Sequence, residues 1–492
     1  MANLKSLAKD TAIYGVSSIV GRFLNYLLVP LYTAKISAAS GGYGVITEIY
    51  SYVALMLVLL TFGMETTFFR FINKEEQENN ALRVYSTTLI MVGSVALMFV
   101  ALVMTFIHPI AGAMNYTDHP EYIRMMAVCV AVDAFLCIPF AYLRYKKNAL
   151  KFASLKFFII VLNISLNLVY FLVLPKVIDG FKIEVGYVFA MNLCCTLVTL
   201  LFLRKELTGF RWTFDAKLMR TMLKYSWPLL ILGIAGILNQ TADKIIFRHV
   251  VDNPTDGKVQ LGIYGACTKI AMIMAMITQA FRYAYEPYVF SIQKDRDNRE
   301  TYANAMKYFL IFTLLAFLVV VGYMDILKFI IKKDYWEGLR VVPIVMAAEI
   351  MMGIYTNLSF WYKLTDRTIW GAWFSGAGCL VLILINVIFI PQYGYMACAW
   401  AGVAGYGTAM LLSYFVGQHY YKVNYPLKSM GVYVLVAAFF FIIMNLLPAE
   451  WPAWARMGIN TVCILLFVAH IIHYDFPLRN LPVVGKYFRK QK

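Results

Sequence analysis

Apolar runs of about twenty residues recur from one end of this chain to the other, and they limit what it can fold into. Each run is long enough to cross a hydrocarbon core of roughly 30 Å as a helix. None shows the alternation of apolar and polar residues that is typical of a transmembrane β-strand. The chain is 61% hydrophobic and 14% charged, whereas the apolar share of soluble domains is roughly 45–50%. We therefore predict an all-α polytopic membrane protein.

The apolar runs predict about fourteen transmembrane helices. Their positions are 11–34, 44–68, 84–107, 122–143, 152–174, 183–203, 224–249, 261–290, 303–330, 340–362, 368–390, 395–421, 429–447 and 455–474. Short connections join them, so little chain remains for a soluble domain. The basic connection 204–224 is the longest of the inner ones, and we interpret it as an interfacial linker.

A gapless internal repeat organises the first twelve spans. Tyr43-Gly44 opens one copy and Tyr264-Gly265 opens the other; the same offset aligns the charged pairs Glu48 with Lys269, Glu65 with Glu286, and Arg22 with Asp243. Six spans return the chain to its starting side, so the copies run parallel. We predict an N-lobe over 1–210, a C-lobe over 211–421, two extra helices with a basic tail over 422–492, and a central cavity between the lobes.

The distribution of Lys and Arg predicts the orientation. Connections on the same side as Lys5 and Lys9 are richer in basic residues than those on the other side, which places both termini in the cytoplasm. The first apolar segment is longer than a signal peptide core, so we expect it to remain as a helix. The net charge of +17 is then explained by basic loops facing anionic membrane lipids, without a nucleic-acid partner.

Charged side chains concentrate in spans 1, 2, 7 and 8. Because a charge deep in a span costs about 2.5–3.5 kcal/mol, such residues usually face a cavity or a partner. The set comprises Arg22, Glu48, Glu65, Asp243, Lys244, Lys269, Arg282 and Glu286, with Glu349 as an outlier and Asp133 and Lys307 less deep. Pairing within the set is the alternative, for example Arg282 with Glu286 one helical turn away, or Asp243 with Lys269.

The cations of this set favour an anionic ligand. A planar guanidinium donates two hydrogen bonds to neighbouring phosphate oxygens. We predict that Arg22, Lys244, Lys269 and Arg282 bind the substrate, and that Glu48, Glu65, Asp243 and Glu286 act in gating or coupling. Glu65 and Glu286 lie near the cytoplasmic helix ends, which suits a gate better than a binding site. Tyrosines on the same helices can stack on sugars, although belt or core positions explain most of them.

No metal or enzyme signature is present. The eight cysteines lie in apolar segments without a CxxC pair, and no catalytic Ser, P-loop or H-E-x-x-H motif occurs. We predict no catalytic residue, no metal and no cofactor. Transport energy would come from an ion gradient, with H⁺ or Na⁺ coupling, from the membrane potential or from the substrate gradient.

Several segments resemble a known family. Gly21-Arg22, the run Val29-Pro30-Leu31-Tyr32 and Tyr43-Gly44 are similar to the opening of the polysaccharide-export (oligosaccharide flippase) family, in the superfamily that also holds lipid II flippases and multidrug extruders. The run 284–288, AYEPY, is similar to the end of the corresponding eighth helix in related exporters. The fourteen-span plan extends the resemblance to the whole chain.

The resemblance implies a function. Members flip an undecaprenyl-pyrophosphate-linked oligosaccharide from the inner to the outer leaflet of the bacterial inner membrane by alternating access, for surface polysaccharide or lipopolysaccharide. Cationic cavity residues of relatives match Arg22 and, less directly, Arg282. The implied partners are the lipid-linked oligosaccharide, membrane lipids, a polysaccharide polymerase and glycosyltransferases.

Two other functions compete with this reading. The first is a cation-coupled multidrug extruder that uses Asp243 or Glu286, although the first-helix acid of such relatives is replaced here by Arg22. The second is a membrane enzyme such as a polysaccharide polymerase, which would usually need a larger outer loop than this chain offers.

Overall fold

The structure is a computed structural model that describes residues 26–73, 78–208, 212–251, 253–291, 299–365, 367–448 and 450–475. The side chains of 78–79, 254, 283–284 and 286–291 lie outside that description. These residues form helices and connections, and no strand occurs among them.

Twenty α-helices are described in these ranges. They are α1 Leu28–Lys35, α2 Gly42–Thr61, α3 Met64–Ile72, α4 Glu78–Thr105, α5 Ile107–Ala113, α6 Pro120–Tyr145, α7 Ala149–Leu168, α8 Leu174–Val177, α9 Gly186–Phe202, α10 Arg204–Leu207, α11 Ala216–Val250, α12 Pro254–Ser291, α13 Arg299–Gly322, α14 Met324–Leu327, α15 Val342–Leu358, α16 Phe360–Leu364, α17 Ile369–Tyr393, α18 Tyr395–Tyr420, α19 Leu427–Leu446 and α20 Ala453–Tyr474. A π-helical turn, Val169–Val173, joins α7 to α8, and short 3₁₀ turns occur at Ala38–Ser40, Lys328–Ile330 and Lys333–Val341.

The predicted membrane class is confirmed. Twelve helices in the described ranges are long and apolar enough to span a membrane, and each corresponds to a predicted span. The sixth predicted span matches the shorter apolar helix Gly186–Phe202. Most of the first predicted span, 11–34, lies outside the described residues. The count of fourteen and the two-lobe arrangement therefore stay predictions.

Local sequence signals account for several helix starts. Pro120 occupies the first turn of α6, where a missing N–H costs nothing. The Asp215 carboxylate accepts from the Leu218 N–H at 2.9 Å and caps α11. Asn148 accepts from the Lys151 N–H at 3.2 Å and caps α7. Such caps satisfy orphan donors at helix N-termini.

The second predicted span is interrupted. Phe62 and Gly63 have φ values of 55° and 65°, so two consecutive left-handed residues separate α2 from α3. Glycine adopts this conformation freely, whereas a bulky residue does so rarely. The Phe62 ring packs near Trp227 on α11, with ring centroids 6.2 Å apart. The break redirects α3 and with it Glu65.

The helices form two compact units. The first takes in the chain up to Ala266 together with Ser375–Ala401. Within it α2 packs against α6 and α11, while α9 packs against α6 and α7. A core at one end buries Met64, Phe68, Tyr85 and Met222.

The second unit takes in Cys267–Phe374 and the chain from Gly402 onward. Here α13 packs against α15, α19 and α20. Asp475, after α20, accepts a hydrogen bond of 2.5 Å from the Tyr433 hydroxyl of α19 and pairs with Lys307 of α13. The last two helices, which lie outside the duplication, are thereby joined to α13. The predicted domains 1–210, 211–421 and 422–492 follow the duplication and stay predictions.

Candidate functional site

A buried ion pair joins α2 to α11. An Arg248 guanidinium nitrogen lies 2.5 Å from a Glu48 carboxylate oxygen, and the two side chains are 1% and 0% exposed. Since each charge on its own would be expensive at this burial, the pair is stable only while both partners stay together. The pair connects the second predicted span to the seventh, as does the 2.8 Å hydrogen bond between the Tyr52 hydroxyl and the His249 ring.

Two further groups complete this Glu48 cluster, which we define as Glu48, Arg248, Tyr116 and Lys258. The Tyr116 hydroxyl donates to the same Glu48 oxygen at 2.6 Å. Burial raises the pKa of Tyr116 well above its usual range, and the nearby Glu48 charge adds to the effect, so the hydroxyl stays a donor. The Arg248 guanidinium and the Lys258 ammonium lie 4.7 and 5.5 Å from the centre of the Tyr116 ring.

The Glu48 cluster is not fully satisfied. Within the described residues, the second Glu48 carboxylate oxygen and the Arg248 Nε have no hydrogen-bond partner. A buried polar atom without a partner costs about 1–3 kcal/mol. The pair is therefore less stable than a completely hydrogen-bonded one, which suits a contact that opens and closes.

Glycines let α12 approach α2 beside this cluster. A Cβ at Gly44 would lie 1.9 Å from the Lys258 carbonyl oxygen, and a Cβ at Gly262 would lie 2.9 Å from the Gly44 nitrogen. A Cβ at Gly265 would lie 2.3 Å from the Thr47 hydroxyl. Only residues without a side chain allow this separation. The glycines that marked the repeat thus serve close helix packing.

Asp243 forms a second buried carboxylate centre. Lys244 donates to both of its oxygens at 3.0 Å, and the Tyr264 hydroxyl donates to one of them at 2.8 Å. Lys244 also donates to the Gln240 carbonyl at 3.0 Å. The predicted pairing of Asp243 with Lys269 stays a prediction. A positive charge already neutralises Asp243 in this arrangement.

Glu65 lines a cavity within the first unit. Its carboxylate lies 2.6 Å from an Arg144 nitrogen, with both side chains partly exposed. The cavity, which we call the N-terminal pocket, measures about 730 Å³, within the roughly 300–1,000 Å³ of ordinary ligand sites. Residues of α2, α3, α6, α7 and α9 line it, among them Asp133, Lys156 and Asn163. Its walls are otherwise largely apolar.

The remaining predicted site residues either lie in the second unit or fall outside the described residues. Lys269 is half-buried and Arg282 is exposed, both in the second unit. Glu286 lies on α12, but its side chain is outside the described residues. Arg22 also lies outside them. The assignment of Arg22, Lys244, Lys269 and Arg282 to substrate binding stays a prediction.

Sequence reasoning missed several residues of the Glu48 cluster and the N-terminal pocket. Arg248 and Arg144 lie at span ends and were counted with the connections, while Tyr116 lies in a connection. Lys156 was counted with the cytoplasmic residues, although it lies within the apolar run 152–174. Its position in that run could have marked it as a charge inside a span. Among the described residues no group of three or more His, Cys, Asp or Glu side chains is placed to hold a metal ion.

The fold defines a class. The structure matches "Lipid II flippase MurJ, inward closed conformation" with a TM-score of 0.72 and 15% identity, over 93% of this chain and 98% of that one. It also matches an inward-facing multidrug resistance MATE family transporter of the MOP superfamily with a TM-score of 0.65 and 13% identity, over 80% of this chain and 93% of that one. Among curated protein sequences, none matches. The chain therefore has the fold of multi-pass membrane transporters.

Its family follows from the sequence comparison. The family model described as "Polysaccharide biosynthesis protein" matches residues 7–293, more than half of the chain. The chain belongs to this polysaccharide biosynthesis protein family. The resemblance that the opening motifs indicated is confirmed.

Proposed function

We propose that this protein is a flippase that moves an undecaprenyl-pyrophosphate-linked oligosaccharide from the inner to the outer leaflet of the bacterial inner membrane. One observation carries the proposal: a chain of the polysaccharide biosynthesis family has the fold of a lipid II flippase along 93% of its length. Surface polysaccharide or lipopolysaccharide would be the end product. The termini would face the cytoplasm.

The Glu48 cluster supports alternating access. In the predicted orientation, Glu48 and Arg248 lie near the outer ends of α2 and α11, which belong to the predicted N-lobe and C-lobe, respectively. Outward opening at these helices requires separation of the buried pair. The ion pair thus stabilises the conformation that is closed on the outer side of the membrane. In the outward-open conformation, both charges must contact water or another partner. We assign Glu48 to gating on this ground.

The cargo would be held by cations. Arg22, Lys269 and Arg282 would attract the pyrophosphate, since guanidinium and ammonium groups are the usual partners of phosphate oxygens. Lys244 would take part only if Asp243 released it. An inside-negative potential favours outward movement of negative charge by roughly 2.3 kcal/mol per charge per 100 mV.

A genetic experiment tests the proposal. Deletion of the gene should abolish surface polysaccharide and accumulate its lipid-linked precursor in the inner leaflet. Arg22→Ala expressed at wild-type level should fail to restore export, because the pyrophosphate loses its principal contact. Full polysaccharide display in the deletion strain, or in the Arg22→Ala strain, would contradict the proposal.

The multidrug alternative rests on the MATE-like fold. It predicts that overexpression raises resistance to cationic dyes and that deletion leaves surface glycan intact. The Lys244 and Tyr264 contacts of Asp243 disfavour this reading, because a neutralised carboxylate attracts a cationic drug weakly.

A further inference from the structure

Asp133 lines the N-terminal pocket within a span and has no ion-pair partner within 4 Å among the described residues. Its carboxylate accepts from the Thr196 hydroxyl at 3.1 Å and faces the Cys129 thiol at 3.8 Å. Both contacts are to neutral groups. The carboxylate is half-buried and directed at the cavity.

Lys156 lines the same pocket from α7. Its ammonium lies 4.0 Å from the centre of the Phe140 ring. A cation–π contact of this kind stabilises an ammonium without neutralising it. Asp133 and Lys156 lie in one cavity and carry opposite charges. Each nevertheless contacts a different partner, Thr196 and Cys129 for Asp133 and the Phe140 ring for Lys156.

This separation requires an explanation. A charge within a span is costly, at most about 2.5–3.5 kcal/mol at the bilayer centre, and such residues usually pair directly when their role is structural. An acid and a base that face one cavity without contact instead leave the acid open to a small cation. The other titratable or charged groups around Asp133 come from four helices: Tyr50 from α2, Glu65 from α3, Cys129, Cys137 and Arg144 from α6, and Cys195 from α9. Glu65 and Arg144 already pair with each other.

The chemistry of the site favours a proton over a sodium ion. A hard metal cation takes about six oxygen ligands, whereas the hydrogen bond that Asp133 accepts from an oxygen within the described residues comes from Thr196 alone. The Lys156 ammonium would also repel a metal ion. A proton needs one carboxylate oxygen and no coordination shell.

A hydrogen-bond chain connects Asp133 to α2. While Asp133 is ionised, the Thr196 hydroxyl donates its one hydrogen to Asp133 and the Cys129 thiol donates its one hydrogen to the Asn192 side-chain oxygen at 3.1 Å. The 3.3 Å contact between Thr196 and the Cys129 sulfur then holds no hydrogen. Asn192 in turn donates to the Tyr50 hydroxyl at 2.8 Å. Tyr50 lies two residues beyond Glu48. A protonated Asp133 becomes a donor toward Thr196, which frees the Thr196 hydroxyl to donate to the Cys129 sulfur and completes the chain of hydrogen bonds that reaches α2.

We propose that Asp133 is a proton-binding site in the N-terminal pocket, with Lys156 excluding metal cations and the Thr196–Cys129–Asn192–Tyr50 chain relaying the protonation state to α2. The proton site follows from the pocket alone. Its coupling to cargo movement rests on the proposed flippase function. The two statements are therefore tested separately.

Infrared difference spectroscopy tests the proton site directly. The full-length protein in lipid nanodiscs is compared at about pH 9 and about pH 5, above the ~3.9 at which exposed aspartates titrate. A carbonyl band of a protonated carboxyl should appear in the wild type, vanish in Asp133→Asn and persist in the exposed control Asp179→Asn. Asp133→Glu should keep the band at a shifted frequency, which covers the case in which Asp133→Asn fails to fold.

Three outcomes would overturn the proposal. Identical wild-type and Asp133→Asn difference spectra would show that Asp133 takes up no proton in this pH range. A carbonyl band at the same frequency in Asp133→Glu and the wild type would show the same. Loss of the band on adding Na⁺ at constant pH would make sodium the ligand. In proteoliposomes with a lumenal pH dye, movement of an undecaprenyl-pyrophosphate-linked oligosaccharide without any pH change would disprove coupling while leaving the flippase function standing.

Discussion

At the residue scale, the carboxylates that were singled out for gating or coupling all have cationic neighbours where the structure describes their side chains. Glu48 pairs with Arg248, Glu65 with Arg144 and Asp243 with Lys244. The sequence indicated which carboxylates lie in spans, because charge in an apolar run is rare. It did not indicate the partners of Glu48 and Glu65, since these come from distant helix ends whose positions depend on the packing of whole helices.

The energy of the Glu48 cluster can be measured with a mutant cycle. Arg248→Met alone should lower the thermal midpoint markedly, because an unpaired buried carboxylate costs about 3–5 kcal/mol. The double variant Glu48→Gln/Arg248→Met should recover much of the loss, since neither charge remains. Tryptophan fluorescence during heating of the purified protein gives both midpoints in the same detergent.

The exposed Glu65–Arg144 pair supplies the matched control. A surface pair contributes about 0–1 kcal/mol, so Arg144→Met should change the midpoint little. An equal loss in Arg248→Met and Arg144→Met would contradict a special role for the buried pair.

At the element scale, the repeat indicated which helix positions need small residues. Tyr43 and Tyr264 are both 3% exposed, and Gly44 and Gly265 both lie at close contacts between α2 and α12. The alignment of the two copies thus marked packing positions correctly. The break at Phe62–Gly63 was not predicted, because no proline marks it and a phenylalanine gives no sign of left-handed backbone.

The α2–α12 crossing gives a sharp substitution test. Gly44→Ala places a Cβ 1.9 Å from the Lys258 carbonyl oxygen, so the helices must separate. Overpacking typically costs about 1–3 kcal/mol, and the thermal midpoint should fall. Gly236→Ala on α11 is the control, because no atom of the described residues lies within 4 Å of a Cβ there and alanine favours a helix by about 1 kcal/mol. A Gly44→Ala midpoint equal to that of Gly236→Ala would mean that the two helices do not cross this closely.

At the scale of the whole molecule, hydropathy predicted most of the architecture. Each of the twelve long apolar helices in the described ranges lies at a predicted span, because a helix that crosses a bilayer must be apolar over about twenty residues. Which charged side chains meet was not readable from hydropathy. Five helices contribute to the wall of the N-terminal pocket, and its lining residues are spread from Leu57 to Thr199. No local pattern brings such residues together.

Transport itself is the central claim, and a reconstituted system measures it most directly. Proteoliposomes carry a fluorescent undecaprenyl-pyrophosphate-linked oligosaccharide, and an enzyme added outside cleaves only the sugars exposed on the outer leaflet. The account predicts that wild-type protein renders the inner-leaflet pool cleavable over time, and that Arg22→Ala slows this strongly. The flippase would be contradicted if the fraction of sugar protected from the enzyme stays as large as in protein-free vesicles. Uptake or release of a cationic dye by the same proteoliposomes would then favour the multidrug extruder.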